Sequence, residues 1–160
     1  MNNLKKLKLL VASALLSSTA VYADDCSNTS ATNCGISISG NQTIDIDSSI
    51  STTDKKGINI INGSNTLTID GNITTTTGTA NAAMGIRIGS VNAENNIINM
   101  TGDIETITNG SATDANGIAI SGSASNNTVN ITGNISTSGN FLSGILINAS
   151  ADNNLSLIHI

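Results

Sequence analysis

The chain has 160 residues, with six basic against eleven acidic side chains, a formal net charge of -5, one phenylalanine, one tyrosine and no proline or tryptophan. An acidic surface repels the phosphates of nucleic acids and anionic membranes, which argues against either as a partner. The remaining sequence is rich in Ile, Asn, Thr, Ser and Gly, a composition that favours short strands and turns over helices.

Residues 1–23 are organised like a signal peptide. Lys5, Lys6 and Lys8 precede a short apolar run from Leu9 to Leu16, and the segment ends in Val21-Tyr22-Ala23. Small residues at the positions read by signal peptidase predict cleavage after Ala23. A membrane anchor is the alternative, but the apolar run is far shorter than the ~20 residues that span a bilayer. We therefore expect the mature chain to be exported.

Residues 24–34 are predicted to form an N-terminal cap closed by a disulfide. Cys26 and Cys34 are the two cysteines of the chain. An even pair in an exported protein favours a disulfide, which here would tie down a small loop before the first repeat. A metal site is the alternative, and the sequence disfavours it because no histidine or further cysteine lies nearby.

Residues 35–154 repeat one pattern. Each copy begins with glycine in a G-I-x-I or similar run, continues through a Gly/Ser/Asn-rich turn into a second alternating pair, and the first four copies then add a lone isoleucine. The opening glycines are Gly35, Gly57, Gly85, Gly117 and Gly144. Asparagine stands two places before the second pair at Asn65, Asn96, Asn127 and Asn153, and Gln42 holds that place in the first copy.

The alternating apolar residues predict strands with one buried face, because successive side chains point to opposite sides. The rows are Ile36, Ile38, Ile44, Ile46 and Ile50; Ile58, Ile60, Leu67, Ile69 and Ile73; Ile86, Ile88, Ile98, Met100 and Ile104; Ile118, Ile120, Val129, Ile131 and Ile135; and Ile145, Ile147 and Leu155. One row alone cannot form a core, but rows stacked as parallel strands ~4.8 Å apart can. We therefore predict an all-β solenoid with about three short strands per coil and about 4–5 coils.

The spacers between the lone isoleucine and the next opening glycine vary most in length. We expect them to form loops at one corner, and those after Ile73 and Ile104 are the best candidates for ligand contacts. The alternative is that they are solvated spacers without a partner.

The leader and the repeat G-I-x-I … N-x-[ILV]-x-[IM]-x-G-[ND]-I-x-T resemble the N-terminal part of an autotransporter passenger domain, over nearly all of residues 1–154. Autotransporters are the type V secreted proteins of Gram-negative bacteria. The resemblance implies a right-handed parallel β-helix that is displayed at the cell surface or secreted, with a structural or adhesive role. It also implies a host-cell or other surface ligand, and attachment to the outer membrane through a C-terminal barrel that we expect to be missing here.

Residues 155–160 are interpreted as a non-native tail. Leu155-Ser156-Leu157-Ile158-His159-Ile160 matches the translation of a transposon-end DNA sequence used in preparing sequencing libraries. The repeat would also place a glycine at position 159, as at Gly71, Gly102 and Gly133, where His159 stands. We therefore expect the natural repeat to stop near Asn154.

No constellation of residues predicts an enzyme, a cofactor site or a metal site. Asp45 and Asp47 alternate on one strand, but hydrolytic pairs need one carboxyl held protonated by burial. A nucleophile–His–acid set cannot be built, since the one histidine, His159, lies in the suspected tail.

Three other interpretations remain open at this stage. Ice binding or carbohydrate activity is the alternative function for a β-solenoid. Threonines recur at one corner, as on flat ice-binding arrays, at Thr52, Thr53, Thr74 to Thr77, Thr106, Thr108 and Thr137. Asp70-Gly71-Asn72-Ile73-Thr74 also fits an acceptor sequence for bacterial glycosylation at Asn72.

Overall fold

The computed structural model describes residues 21–24, 35–78, 84–89, 92–109, 115–139, 142–148 and 151–159, which contain fifteen strands and no helix. Strand β1 (Val21–Asp24) precedes the repeat. The first two windings contain β2 (Gly35–Ile38), β3 (Thr43–Ile46), β4 (Ile50–Thr53), β5 (Ile58–Ile60), β6 (Thr66–Asp70) and β7 (Ile73–Thr77). The later windings contain β8 (Ile86–Gly89), β9 (Ile97–Thr101), β10 (Ile104–Thr108), β11 (Ile118–Ser121), β12 (Thr128–Thr132), β13 (Ile135–Ser138), β14 (Ile145–Ile147) and β15 (Leu155–His159).

Each winding contributes one strand to each of three sheets, apart from the fifth, whose described residues supply two. The first sheet has the order β1-β2-β5-β8-β11-β14, the second β15-β12-β9-β6-β3 and the third β13-β10-β7-β4. All neighbouring strands pair in parallel except β1, which runs antiparallel to β2. The predicted all-β parallel β-helix with three strands per coil is therefore confirmed, while its right-handed winding stays a prediction.

The aliphatic residues of successive windings stack in columns inside the helix. Ile38 pairs with Ile60, Ile60 with Ile88 and Ile88 with Ile120, and all four side chains are 0% exposed. The second sheet repeats this arrangement with Ile44, Leu67, Ile98 and Val129. Each buried aliphatic side chain contributes about 1.5–3 kcal/mol relative to exposure, so the columns supply most of the driving force for folding.

A ladder of buried asparagines runs along one turn of the helix. Asn65 donates from its backbone N and its Nδ2 to Asn96 Oδ1, at 2.8 and 2.7 Å. Asn96 donates in the same way to Asn127 Oδ1, at 2.9 and 2.8 Å, and Asn127 to Asn154 Oδ1, at 2.9 and 3.0 Å. Gln42 N begins the ladder by donating to Asn65 Oδ1 at 3.0 Å. The ladder satisfies backbone groups that the turn leaves without a strand partner.

The fifth winding corrects three sequence-based expectations: the asparagine of the ladder, the interior residue of the last strand and the position of the expected glycine. Asn154, and not Asn153, extends the ladder, while Asn153 adopts φ 54°, close to the 57° of Asn95 and Asn126. The register therefore differs by one residue from the predicted one, which moves every side chain of the following strand to the opposite face.

The consequence for strand β15 is that Leu155 does not join the interior row. Leu155 pairs with Thr128 and is 50% exposed, whereas Ser156 stands in the column of Val129 and its Oγ is buried without a partner. His159 pairs with Thr132 and so occupies the place of a strand threonine, not the place of Gly133. The expected glycine position falls at residue 160, outside the described residues.

The N-terminal predictions are only partly covered. Strand β1 includes residues on both sides of the predicted cleavage position after Ala23, and Ala23 pairs with Ile36. The remainder of the signal peptide and the cap with Cys26 and Cys34 lie outside the described residues. In the described part of the chain, no helix is long and apolar enough to cross a membrane.

Replacing Asn96 by alanine removes the acceptor for two buried donors of Asn65. We expect Asn96→Ala to lower the free energy of unfolding by about 2–5 kcal/mol, because each unsatisfied buried group costs about 1–3 kcal/mol. The matched control is Asn99→Ala on the exposed face, where Asn99 Oδ1 accepts only from Asn130 Nδ2. The control should change stability by less than about 1 kcal/mol in urea unfolding. Equal losses for the two variants would contradict a structural role for the buried ladder.

Adding a methyl group at Gly102 tests the close approach of successive windings. Gly102 has φ 134°, and a Cβ there would lie 2.4 Å from the carbonyl oxygen of Gly71. We expect Gly102→Ala to lower the melting temperature and to cost about 2 kcal/mol or more, since backbone atoms must separate. Gly78→Ala is the control, because a Cβ at residue 78 meets nothing within 4 Å. A Gly102→Ala protein as stable as the control would contradict the tight turn.

Candidate functional site

The outer face of the second sheet carries polar columns without a built catalytic pair. Asp45 and Asp47 are exposed, and the neighbour of Asp45 in the next winding is Thr68. Both carboxyl groups face solvent, whereas a hydrolytic pair requires one carboxyl in a buried environment. In the part of the chain that the structure describes, no group of three or more His, Cys, Asp or Glu side chains is arranged to hold a metal ion.

The threonines that stack in register point into the helix. Thr52 pairs with Thr75, Thr75 with Thr106 and Thr106 with Thr137, and the first three are at most 2% exposed. Thr75 Oγ1 donates to Thr106 Oγ1 at 3.1 Å, and Thr106 Oγ1 to the Asn116 carbonyl at 3.4 Å. A buried threonine cannot contact an ice surface, so this stack does not support the ice-binding alternative.

The spacers that follow the lone isoleucines all begin and end at one corner of the helix. Residues 54–57, 78–85, 109–117 and 139–144 each connect a strand of the third sheet to the next strand of the first sheet. The predicted grouping of the spacers at a single corner is confirmed by this topology. Most of the loops after Ile73 and Ile104, residues 79–83 and 110–114, lie outside the described residues.

At the same corner, the first two windings enclose a small groove, which we call the corner groove. Its cavity has a volume of about 160 Å³ and is lined by Gly35, Ser37, Asp54, Lys55, Lys56 and Asn59. Gly35 forms part of the groove because its backbone lies against the next winding: a Cβ at residue 35 would sit 2.1 Å from the Lys56 carbonyl oxygen. A larger residue at position 35 would therefore force the two windings apart.

Asp54 holds the corner to the winding above. Its backbone has φ 57°, a left-handed conformation that aspartate tolerates better than most residues. Asp54 Oδ1 accepts from Thr77 Oγ1 at 2.9 Å and from the Gly78 backbone N at 3.0 Å. The carboxylate thus serves as a bridge between windings and fixes the backbone that carries Lys55 and Lys56.

Arg87 lies beside the groove in the same outward column of the first sheet. Ser37 pairs with Asn59, and Asn59 with Arg87. Arg87 Nη1 donates to Asn59 Oδ1 at 3.2 Å. Since a guanidinium only donates hydrogen bonds, the amide group must turn its oxygen toward Arg87 and keep its Nδ2 for other acceptors.

The basic residues outside the predicted leader lie in or beside the corner groove. Lys5, Lys6 and Lys8 belong to the predicted leader, so Lys55, Lys56 and Arg87 are the remaining basic residues. The sequence-based reasoning counted these three cations but did not join them, because they come from different rows of the repeat. Aligning the rows would have placed Arg87 in the column of Asn59, which stands two positions after Gly57 and three after Lys56.

The structure places one further predicted position, Asn72. Asn72 is exposed, accepts from the Asp103 backbone N at 2.8 Å through its Oδ1, and donates its own backbone N to Ser49 Oγ at 3.0 Å. Its side chain thus belongs to a surface ladder, and its glycosylation stays a prediction. Cys26 and Cys34 lie outside the described residues, so the disulfide stays a prediction too.

Removing the Asp54 carboxylate tests whether it braces the corner. We expect Asp54→Ala to lower the free energy of unfolding by about 2 kcal/mol, because two hydrogen bonds to a charged acceptor are lost. Asp54→Asn, which keeps an acceptor oxygen and tolerates left-handed backbone, should lose less than half as much. Asp45→Ala on the exposed strand is the control for charge removal and should be near neutral in the same urea titration. An unchanged midpoint for Asp54→Ala would rule out the bracing role.

Comparison with known proteins gives no relative for this chain: no family model, no curated protein and no solved structure matches it.

Proposed function

We propose that the chain is a segment of an exported, surface-displayed or secreted β-helix of the autotransporter passenger type, with a structural and adhesive role. The observation that carries the proposal is the uninterrupted stacking of windings around an aliphatic interior. Such an architecture extends by ~4.8 Å per winding and keeps its outside free for contacts. It suits a scaffold that gives reach and rigidity better than it suits an enclosed catalytic centre.

The outer surface supports the same proposal. Polar side chains such as Thr68, Asn99 and Asn130 line the second sheet, and the variable spacers gather at one corner. In repeat proteins, insertions that collect on one side of the scaffold often form the binding side. We therefore place ligand contact at this corner, with a host-cell or other surface component as the partner, and propose no catalytic activity.

The leader supplies the export part of the proposal. Its basic start, short apolar run and small residues before position 24 are the features that a bacterial secretion pathway recognises. A scaffold for surface contact requires this export, whereas a cytoplasmic repeat protein would not.

Expression of the full chain in a Gram-negative host tests the proposal. We expect a mature protein that begins at Asp24 in the extracytoplasmic fraction, measured by intact mass and N-terminal sequencing. Ala23→Arg should leave an uncleaved precursor, because signal peptidase requires a small residue before the cut. Ala20→Ser, which keeps a small residue outside the recognised positions, is the matched control and should be processed normally. A wild-type chain that stays uncleaved in the cytoplasm would refute export.

A further inference from the structure

We propose that strand β1 protects the predicted leader cleavage site, so that the chain is cleaved after Ala23 only while β1 is detached from β2. Strand β1 (Val21–Asp24) contains the peptide bond between Ala23 and Asp24 and is paired with β2 (Gly35–Ile38). This inference rests on the proposed export of the chain, because it concerns the same cleavage site. It adds a competition between cleavage and the folding of the first winding.

The pairing of β1 is the first observation behind the proposal. Among the described strands, β1 ends the first sheet and runs antiparallel to its neighbour, whereas the windings of the repeat pair in parallel. Its register places Ala23 opposite Ile36 and Asp24 opposite Gly35. Both residues that flank the predicted cleavage position therefore lie within a sheet and not in a loop.

The backbone of β2 shows which groups are directed toward β1. Ile36 N and the Ile38 carbonyl oxygen bond to backbone atoms of the next winding, at 2.8 and 2.9 Å, so these two residues face β5. Successive residues of a strand direct their N–H and C=O groups to alternate sides. The backbone groups of Gly35 and Ser37 are therefore the ones that face β1.

This alternation places the bond to be cleaved at a hydrogen-bonded position of the ladder. In an antiparallel pair, the opposed residues whose backbone groups face each other exchange both N–H···O bonds. The register makes Tyr22–Ser37 and Asp24–Gly35 pairs of this kind. The N–H of Asp24 belongs to the Ala23–Asp24 peptide bond, and the register directs it toward the oxygen of Gly35. A peptidase that takes this bond into its active site must first break the pairing.

The position of β1 at the end of the sheet allows it to detach without unfolding of the helix. Strand β1 has four residues and pairs with one described strand, and such end segments open at a lower free energy than interior strands. The column of Ile38 and Ile60 joins β2 to β5 and does not depend on β1. When reclosing is faster than cleavage, the cleavage rate follows the population of the detached state. Folding should therefore slow cleavage without abolishing it.

Purified bacterial signal peptidase tests the proposal on the full, uncleaved chain, with the product that begins at Asp24 measured by intact mass. The reference substrate is a synthetic peptide of residues 1–30, which contains the cleavage site but not β2. We expect the folded chain to be cleaved at least about tenfold more slowly than the peptide, because cleavage requires the opening of β1. Equal rates would overturn the proposal and leave export standing. A peptide that is not cleaved after Ala23 would instead refute the leader, and the protection of its cleavage site with it.

Substitutions at Ser37 separate the pairing of β1 from general instability. Ser37→Pro removes the N–H that faces β1 and should bring the cleavage rate to within about threefold of the peptide. Ser37→Thr keeps that N–H and is the matched control, so it should be cleaved as slowly as the wild type. Asn96→Ala weakens the buried ladder, which does not include β1, and should stay within about threefold of the wild type. Equal acceleration by Ser37→Pro and Asn96→Ala would overturn the proposal.

Amide hydrogen exchange in the full chain still decides if Ser37→Pro fails to fold by circular dichroism. Tyr22→Pro removes the N–H of β1 that faces Ser37 and leaves the repeat unchanged. We expect the Ser37 amide to exchange at least about tenfold faster in this variant, while the amides of Ile36 and Ile38, which face β5, change by less than about threefold. Tyr22→Thr is the control and should exchange like the wild type. A Ser37 amide that is indifferent to Tyr22→Pro would contradict the pairing and overturn the proposal.

Discussion

The vertical register between windings is the constraint on which the structure depends. Each buried polar side chain of the Asn65–Asn96–Asn127–Asn154 ladder is satisfied by the equivalent residue one winding away, and so is each strand backbone. A shift of one residue would both break this ladder and turn the isoleucine columns toward solvent. Hydrogen bonding and hydrophobic burial therefore enforce the same register, and neither is available to one winding alone.

The corners of the helix differ in how much the length of their connections varies. At the corner between the second and third sheets, Gly71, Gly102 and Gly133 bring successive backbones so close that a Cβ at residue 133 would lie 2.2 Å from the Gly102 oxygen. The corner between the third and first sheets has a similar column, because a Cβ at Gly57, Gly85 or Gly117 would lie 2.5–2.6 Å from a glycine carbonyl oxygen of the next winding. The connections that lead to these glycines nevertheless differ in length. The corner groove lies there because a braced short connection, residues 54–57, stands next to the open outward column of the first sheet.

Much of the fold was predictable because alternation and stacking leave direct marks in the sequence. Ile38, Ile60, Ile88 and Ile120 follow their opening glycines at a fixed distance, so their common column could be found by aligning rows. The fifth row failed because Leu155 is apolar and Ser156 is polar, so alternation placed Leu155 in the interior and Asn153 two positions before it. The pairs Asn95–Asn96 and Asn126–Asn127, in which the second asparagine enters the ladder, indicated the other register. The hydrogen bond from Asn127 decides in favour of Asn154.

The corner groove was harder to predict because its residues are neighbours only across windings. Lys55 and Lys56 are adjacent in the sequence, whereas Arg87 stands more than one row's length away. The inward threonines show the opposite difficulty, because their pattern in the sequence suggests exposure although they are buried. Their repetition resembles a surface array, yet Thr75 and Thr106 form a polar stack in the interior because they share the alternation phase of Ile73 and Ile104.

The asparagine ladder also has a direction. Asn65, Asn96 and Asn127 each donate the backbone N–H and one Nδ2 proton to the oxygen of the following rung and offer their own oxygen to the preceding one. The two terminal faces of the stack are therefore chemically distinct, one requiring an acceptor and the other a donor. The described atoms that are buried without a partner, Gln42 Nε2 and Ser156 Oγ, lie in the first and last windings. A further winding can therefore extend the asparagine ladder only in the same orientation as the existing windings.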